Sequence, residues 1–205
     1  MTIRLHRGDL PDLSRYGRGA VAVDTEAMGL DVNRDRLCVV QISPGDGSAD
    51  VIQIPASMSE APNLAKLLAD GTVLKIFHFA RFDLAMLHKH LGIMPFPLYC
   101  TKIASRIART YTDKHGLKDL VRELLGVDLS KQQQLSDWGA EALSDAQLAY
   151  AASDVLHLHA LKEKLDAILL REGRAELAAA CFRFLPDRVR LDLAGWSDQD
   201  IFAHS

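Results

Sequence analysis

The chain has 205 residues, of which 48 % are apolar and 25 % charged, and carries a net charge of −3. That length and composition suit one large domain with its own core, and the charge balance excludes a protein that is basic throughout, so any nucleic-acid surface has to be local. Met1, Thr2, Ile3 and Arg4 do not open a secretory leader, and no apolar run approaches the roughly 20 residues needed to span a bilayer.

In chain order, residues 19–23 and 37–42 (LCVVQI) read as buried strands. The segment 43–50 (SPGDGSAD) is dense in turn formers and predicts a hairpin-type connection to a third strand at 51–54. A helix is predicted at 63–70, stopping at Gly71, and a fourth strand at 73–77. Residues 81–91 repeat apolar side chains at helical spacing (Phe82 and Met86; Leu84, Leu87 and Leu91) and stop at Gly92. Further helices are predicted at 101–110, 116–125 and 144–170, the last being the longest periodic segment. Strands first, then alternating strands and helices, predict an α/β domain: an antiparallel meander extended by parallel strands into a mixed central sheet flanked by helices. One domain is expected over 1–205, with a core at about 19–170 and a helical tail at 171–205 that Trp196 and Phe202 dock onto the body. Cys38, Cys100 and Cys181 are scattered and odd in number, which fits a reducing cytoplasm rather than a disulfide framework or a zinc knuckle.

Acidic residues in three of these segments are costly to bury. Asp24 and Glu26 close the first predicted strand, two apart, so both point to one face. Asp83 follows a buried strand at a helix start, and Asp154 sits in a strongly apolar helix with Tyr150 one turn before it. Taken singly, each has an ordinary alternative: a turn acid, a solvated Glu, a first-turn acid facing the helix dipole, an acid on a polar stripe.

Taken together, Asp24-Thr25-Glu26, Phe82-Asp83 and Tyr150-x-x-x-Asp154 resemble the three motifs of the DEDD 3′–5′ exonucleases. The tyrosine four residues before the last Asp resembles the DEDDy branch; the sister branch has a histidine five residues before it, where this chain has Ala149. Residues 116–138 and 143–158 are similar to ribonuclease D, and the likeness covers about 10–170. Two positions depart from the family pattern: Phe79 stands where an Asn is common, and Cys100 where an Asp often precedes the next helix. Ribonuclease D commonly adds helical domains that help bind RNA. The segment after residue 170 is too short for one, so a stand-alone nuclease domain is expected.

The resemblance implies a ribonuclease H-like fold and a 3′–5′ exoribonuclease that releases nucleoside 5′-monophosphates. Two divalent ions, one activating water and one stabilising the leaving oxygen, are the chemistry such a cluster serves. A donor set of carboxylates alone suits Mg²⁺ or Mn²⁺ better than zinc. By the same resemblance Asp24 bridges both ions, Glu26 and Asp154 complete the nucleophile-side site, Asp83 holds the second ion, and Tyr150 orients the attacking water. Thr25 lies inside the first motif. Leu30, six residues after Asp24, stands where the family places an apolar wedge between bases, with Met28 beside it; ordinary core packing is the alternative for both. His78 is a candidate contact to the terminal ribose or phosphate, or a plain buried histidine. Residues 99–122 hold Lys102, Arg106, Arg109, Lys114, Lys118 and Arg122 against Asp113 and Asp119, a local basic stretch in which Lys114 and Lys118 are the candidate phosphate contacts. The expected substrate is an RNA 3′ end. Single-stranded DNA, an endonuclease activity and a non-catalytic binding module of the same fold are the alternatives; oligomeric state has no signal in the sequence.

Overall fold

The structure, a computed structural model, describes residues 2–17, 19–130, 133 and 135–204. Its strands are Thr2–Arg7 (β1), Ala20–Ala27 (β2), Leu37–Ser43 (β3), Ser48–Gln53 (β4), Leu74–Phe77 (β5) and Leu98–Cys100 (β6). They form one sheet in the order β1-β4-β3-β2-β5-β6. β2, β3 and β4 run antiparallel as the meander predicts, and β5 and β6 add in parallel beside β2. β1 and β6 are additions to the sequence reading. β1 (TIRLHR) mixes charged and apolar residues and lies parallel to β4 at one edge, and β6 is only three residues long.

The helices are Pro62–Ala69 (α1), Ala80–Leu91 (α2), Thr101–Ala108 (α3), Leu117–Leu125 (α4), Asp145–Leu156 (α5), Leu158–Arg171 (α6) and Ala175–Leu191 (α7). α2 ends as the sequence predicts: Gly92 takes φ 66°, where an L side chain is disfavoured, and its N–H closes the last turn onto His88. Alternation along the sheet splits the apolar residues between two cores. Val40, Ile42 and Ile52 join the larger one, whereas Val39 and Val51 face a smaller cluster closed by Trp138, Leu143 and Ala151. α5 packs against β2, β3 and β4, which brings its polar stripe to the end of β2.

Two expectations are corrected. The helix predicted at 144–170 is two helices, α5 and α6, parted at His157 (φ −103°, ψ −6°). Ser153 donates its hydroxyl to the Tyr150 carbonyl at 2.7 Å, in competition with the helix ladder one turn before the break. The second correction concerns the tail. Trp196 and Phe202 are 44 % and 76 % exposed, so they do not dock it. Apolar residues of α7 dock it instead: Ala178, Phe182, Leu185 and Val189 join the larger core, and Asp192, 5 % exposed, adds a polar tie by accepting from Arg81 at 2.7 Å and from Arg188 at 2.7 Å.

Candidate active site

The site forms where β2, α2 and α5 meet. Asp24 and Glu26 project from one face of β2, and Asp154 reaches them from α5. One carboxylate oxygen from each lies within 4.8 Å of the others. Asp83, from the first turn of α2, borders the same cavity but stands outside that tight triplet. It is 2 % exposed and accepts a hydrogen bond from the Thr25 hydroxyl at 2.7 Å. The start of α5 is fixed by a capping box: Ser144 Oγ accepts from the Gln147 N–H, and Gln147 Oε1 accepts from the Ser144 N–H at 3.0 Å. Gln147 also donates to the Asp137 carbonyl at 3.0 Å, which ties the helix start to the preceding loop. Tyr150 and Asp154, one turn apart, then share a face, and both line the same cavity. Trp138 packs against the Tyr150 ring at 5.9 Å between centroids.

Among the described residues, no ion pair involves any of the four acids. Burial pushes the Asp24 carboxyl well above the usual range, and the charges of Asp83, Asp154 and Glu26 add to the shift. Burial, then Asp154 and Asp83, raise Glu26 to about 9. Burial likewise raises Asp83 and Asp154 to about 7 each, opposed in Asp83 by the Thr25 bonds and in Asp154 by Tyr150. Four crowded carboxylates lacking a side-chain cation, with only oxygen donors, fit a hard divalent ion. The Tyr150 hydroxyl is pushed up by burial and then by Asp154, Glu26 and Asp24, so it keeps its proton.

The cavity in front of the acids has a volume of about 320 Å³. Leu30 lines it and is 86 % exposed, which rules out ordinary core packing. Met28 lies outside its wall, beside Gly139, where an added Cβ would come within 2.3 Å of the Met28 sulfur. His78 lines the cavity and is held near 3 by burial and by Lys102, so the ring is neutral. Its Nδ1 is 2.9 Å from Thr101 Oγ1, which itself donates to the Phe77 carbonyl at 3.1 Å. With the threonine proton so committed, Nδ1–H is the donor and Nε2 is left as an acceptor.

The basic stretch is only partly available. Lys118 and Lys102 line the cavity, whereas Lys114 is exposed and lies outside its wall. Arg109 is fully buried, donating to Glu123, Ser105 and the Lys114 carbonyl, so it braces the turn between α3 and α4. Arg122 pairs with Asp119 at 3.0 Å.

Two features escape the sequence reading. Gln41 pairs with Asp24 across β2 and β3, fully buried, with neither amide atom partnered among the described residues. A glutamine inside the apolar run LCVVQIS is its one signal, and such a group costs about 1–3 kcal/mol to leave unpaired. Phe79, at the N-cap of α2, adopts φ 67° and ψ 43°. This left-handed conformation costs an ordinary L residue about 1–2 kcal/mol.

The model of a 3′–5′ exonuclease domain matches residues 11–170. The chain belongs to the 3′–5′ exonuclease family. Among curated relatives, ribonuclease D of Gluconacetobacter diazotrophicus is 37 % identical over 82 % of the chain. The match spans only 42 % of that relative's length. Among solved structures, Brucella melitensis NrnC with bound Mg²⁺ is 62 % identical, covers 100 % of both chains and superposes with a TM-score of 0.96. The same protein bound to pGG gives 63 % and 0.97, again over 100 % of both chains. Escherichia coli RNase D is 26 % identical with a TM-score of 0.78, over 90 % of this chain and 49 % of that one.

Proposed function

We propose that this chain is a divalent-metal-dependent 3′–5′ exoribonuclease that shortens RNA from its 3′ end and releases nucleoside 5′-monophosphates. The observation that carries the reading is the convergence of Asp24, Glu26 and Asp154 within 4.8 Å beside the Tyr150 hydroxyl. RNA is favoured over single-stranded DNA by the ribonuclease D relatives and by the pGG-bound neighbour, which also favours short substrates. Bound Mg²⁺ or Mn²⁺, two ions in this reading, supply an activated water and neutralise charge on the leaving 3′-oxygen.

Asp24, Glu26 and Asp154 would hold the ion on the nucleophile side, and Asp24 with Asp83 would hold the other. Tyr150 keeps its proton and orients the attacking water through its hydroxyl; it is too weak an acid to serve as the base at neutral pH. The water attacks phosphorus and gives up a proton to solvent, the bond to the 3′-oxygen breaks and that oxygen takes up a proton from solvent, and the terminal nucleotide leaves as its 5′-monophosphate. The Thr25 hydroxyl keeps Asp83 oriented. Leu30 abuts the terminal base and Lys118 meets the phosphate backbone; Met28 and Lys114, outside the cavity wall, have at most an outer part in binding. Neutral His78 offers Nε2 to a ribose hydroxyl. We read 1–205 as one exonuclease domain working in the cytoplasm, in line with its three free cysteines and with the lack, among the described residues, of a helix long and apolar enough to cross a membrane.

The test is a time course on one 5′-labelled single-stranded RNA and its DNA counterpart with Mg²⁺, Mn²⁺ or EDTA, beside Asp24→Ala. A metal-dependent ladder receding from the 3′ end, faster on RNA and absent in the variant, is expected. RNA left intact by folded, metal-loaded wild type would overturn the reading.

A further inference from the structure

We propose that Phe79 is the stacking platform for the nucleobase immediately 5′ of the scissile phosphate, with Lys102 completing the subsite. The assignment rests on the exonuclease reading above and adds the residue that grips the second nucleotide.

Three observations converge on this ring. Phe79 is the non-glycine residue with positive φ among the described residues, so the chain keeps a bulky aromatic where Gly or Asn fits with less strain. The ring belongs to neither apolar core and is 45 % exposed, so packing does not account for it. The Lys102 ammonium sits 4.3 Å from its centroid. A cation on one side of a half-exposed ring leaves the other side open for a second π-system.

The surroundings give the direction of the strand. Phe79 and Lys102 border both the acid-lined cavity and a second cavity of about 280 Å³, which Phe184 and Leu185 also line. Arg81, Arg106 and Arg188 edge that second space. Asp192 neutralises Arg81 and Arg188. Lys102 and Arg106, one turn apart on α3, form no ion pair among the described residues, and burial together with Arg106 pushes the Lys102 ammonium down. Like charges at this spacing destabilise a helix unless an anion lies between them. A strand whose 3′ end meets the carboxylates leaves toward this unneutralised positive edge, and its next base then meets the Phe79 ring. Stacking on an aromatic tolerates any base, as an exonuclease requires.

The test is steady-state kinetics on a short RNA with wild type, Phe79→Ala and Phe79→Trp. It is repeated on RNAs with a stable abasic unit either at the 3′ terminus or one position 5′ of it. Phe79→Ala is expected to raise KM about 10-fold or more with kcat little changed, and Phe79→Trp to restore it. The Ala penalty should persist when the terminal base is missing and vanish when the adjacent base is missing; wild type alone should lose affinity for the latter substrate. Phe79→Gly, with the strain relieved, should melt no lower than wild type while showing the same KM defect. Equal KM for wild type and Phe79→Ala, or a penalty indifferent to which base is removed, would overturn the assignment while leaving the exonuclease reading intact. Wild type inert on every RNA would mean that the exonuclease reading itself had failed, and the assignment with it.

Discussion

Glu26 shows what the crowded acids cost the protein in the absence of metal. An unfolded Glu titrates near ~4.3, and burial with the neighbouring acids raises it to about 9 in the fold. Between those values the folded state holds the extra proton, so this group stabilises the metal-free protein at low pH and loses that contribution as pH rises through about 9. In EDTA the melting temperature should therefore fall from pH 7 to pH 9, and Glu26→Gln should flatten the fall. Mg²⁺ should raise it more at pH 9 than at pH 7; an equal metal effect at both would mean that protons and metal do not compete for these oxygens. Each of the four acids had an ordinary alternative when taken singly; they and Tyr150 stood out in the sequence because three spaced motifs together resemble those of the DEDD exonucleases. Leu30 was open between wedge and core until its exposure excluded core packing. The strain at Phe79 and the unpaired amide of Gln41 were not legible, since a sequence names a side chain and neither its φ nor its partners.

At the scale of elements, α5 is the lever that sets Tyr150 and Asp154 against β2. Its start depends on the reciprocal Ser144–Gln147 bonds. Ser144→Ala should cost about 1 kcal/mol, which lowers the melting temperature by roughly 2–4 °C in a chain of this size. Because the helix carries one of three converging carboxylates, Mg²⁺ should also bind more weakly in that variant; unchanged metal affinity would show that packing on the sheet alone fixes the helix. Periodicity found this helix and missed its end. The apolar spacing runs on through His157, and only the Ser153 bond to a backbone carbonyl and the departure of His157 from helical angles reveal the break. β6 was missed because three residues carry no period, and β1 because its charges mask an edge strand.

For the whole molecule, α7 packs its apolar face into the core, and the end of the tail is tied to the body through Asp192. It meets Arg81, which lies 111 residues earlier, and Arg188, which also holds the Trp196 and Ser197 carbonyls at 2.7 and 2.9 Å. No local pattern announces a pairing at that separation, so the sequence pointed to the aromatic residues instead. Asp192→Asn should cost about 2 kcal/mol, the figure for a broken buried pair discounted for the partly exposed Arg81, and should speed tryptic cleavage at Arg188 and Arg190. Unaltered cleavage would show that the ion pairs do not hold this end of the tail. The position of β2, bracketed by β3 and β5 in the middle of the sheet, has a consequence on the time axis. Backbone bonds of a central strand open only at close to the free energy of global unfolding, whereas half-exposed side chains at a rim reorient in nanoseconds. Asp24 and Glu26, carried by this strand and paired there with β3, thus move on a far slower clock than the exposed Leu30 at the rim. In the proposed reaction, the rim can exchange one RNA end for another many times without loosening the carboxylates.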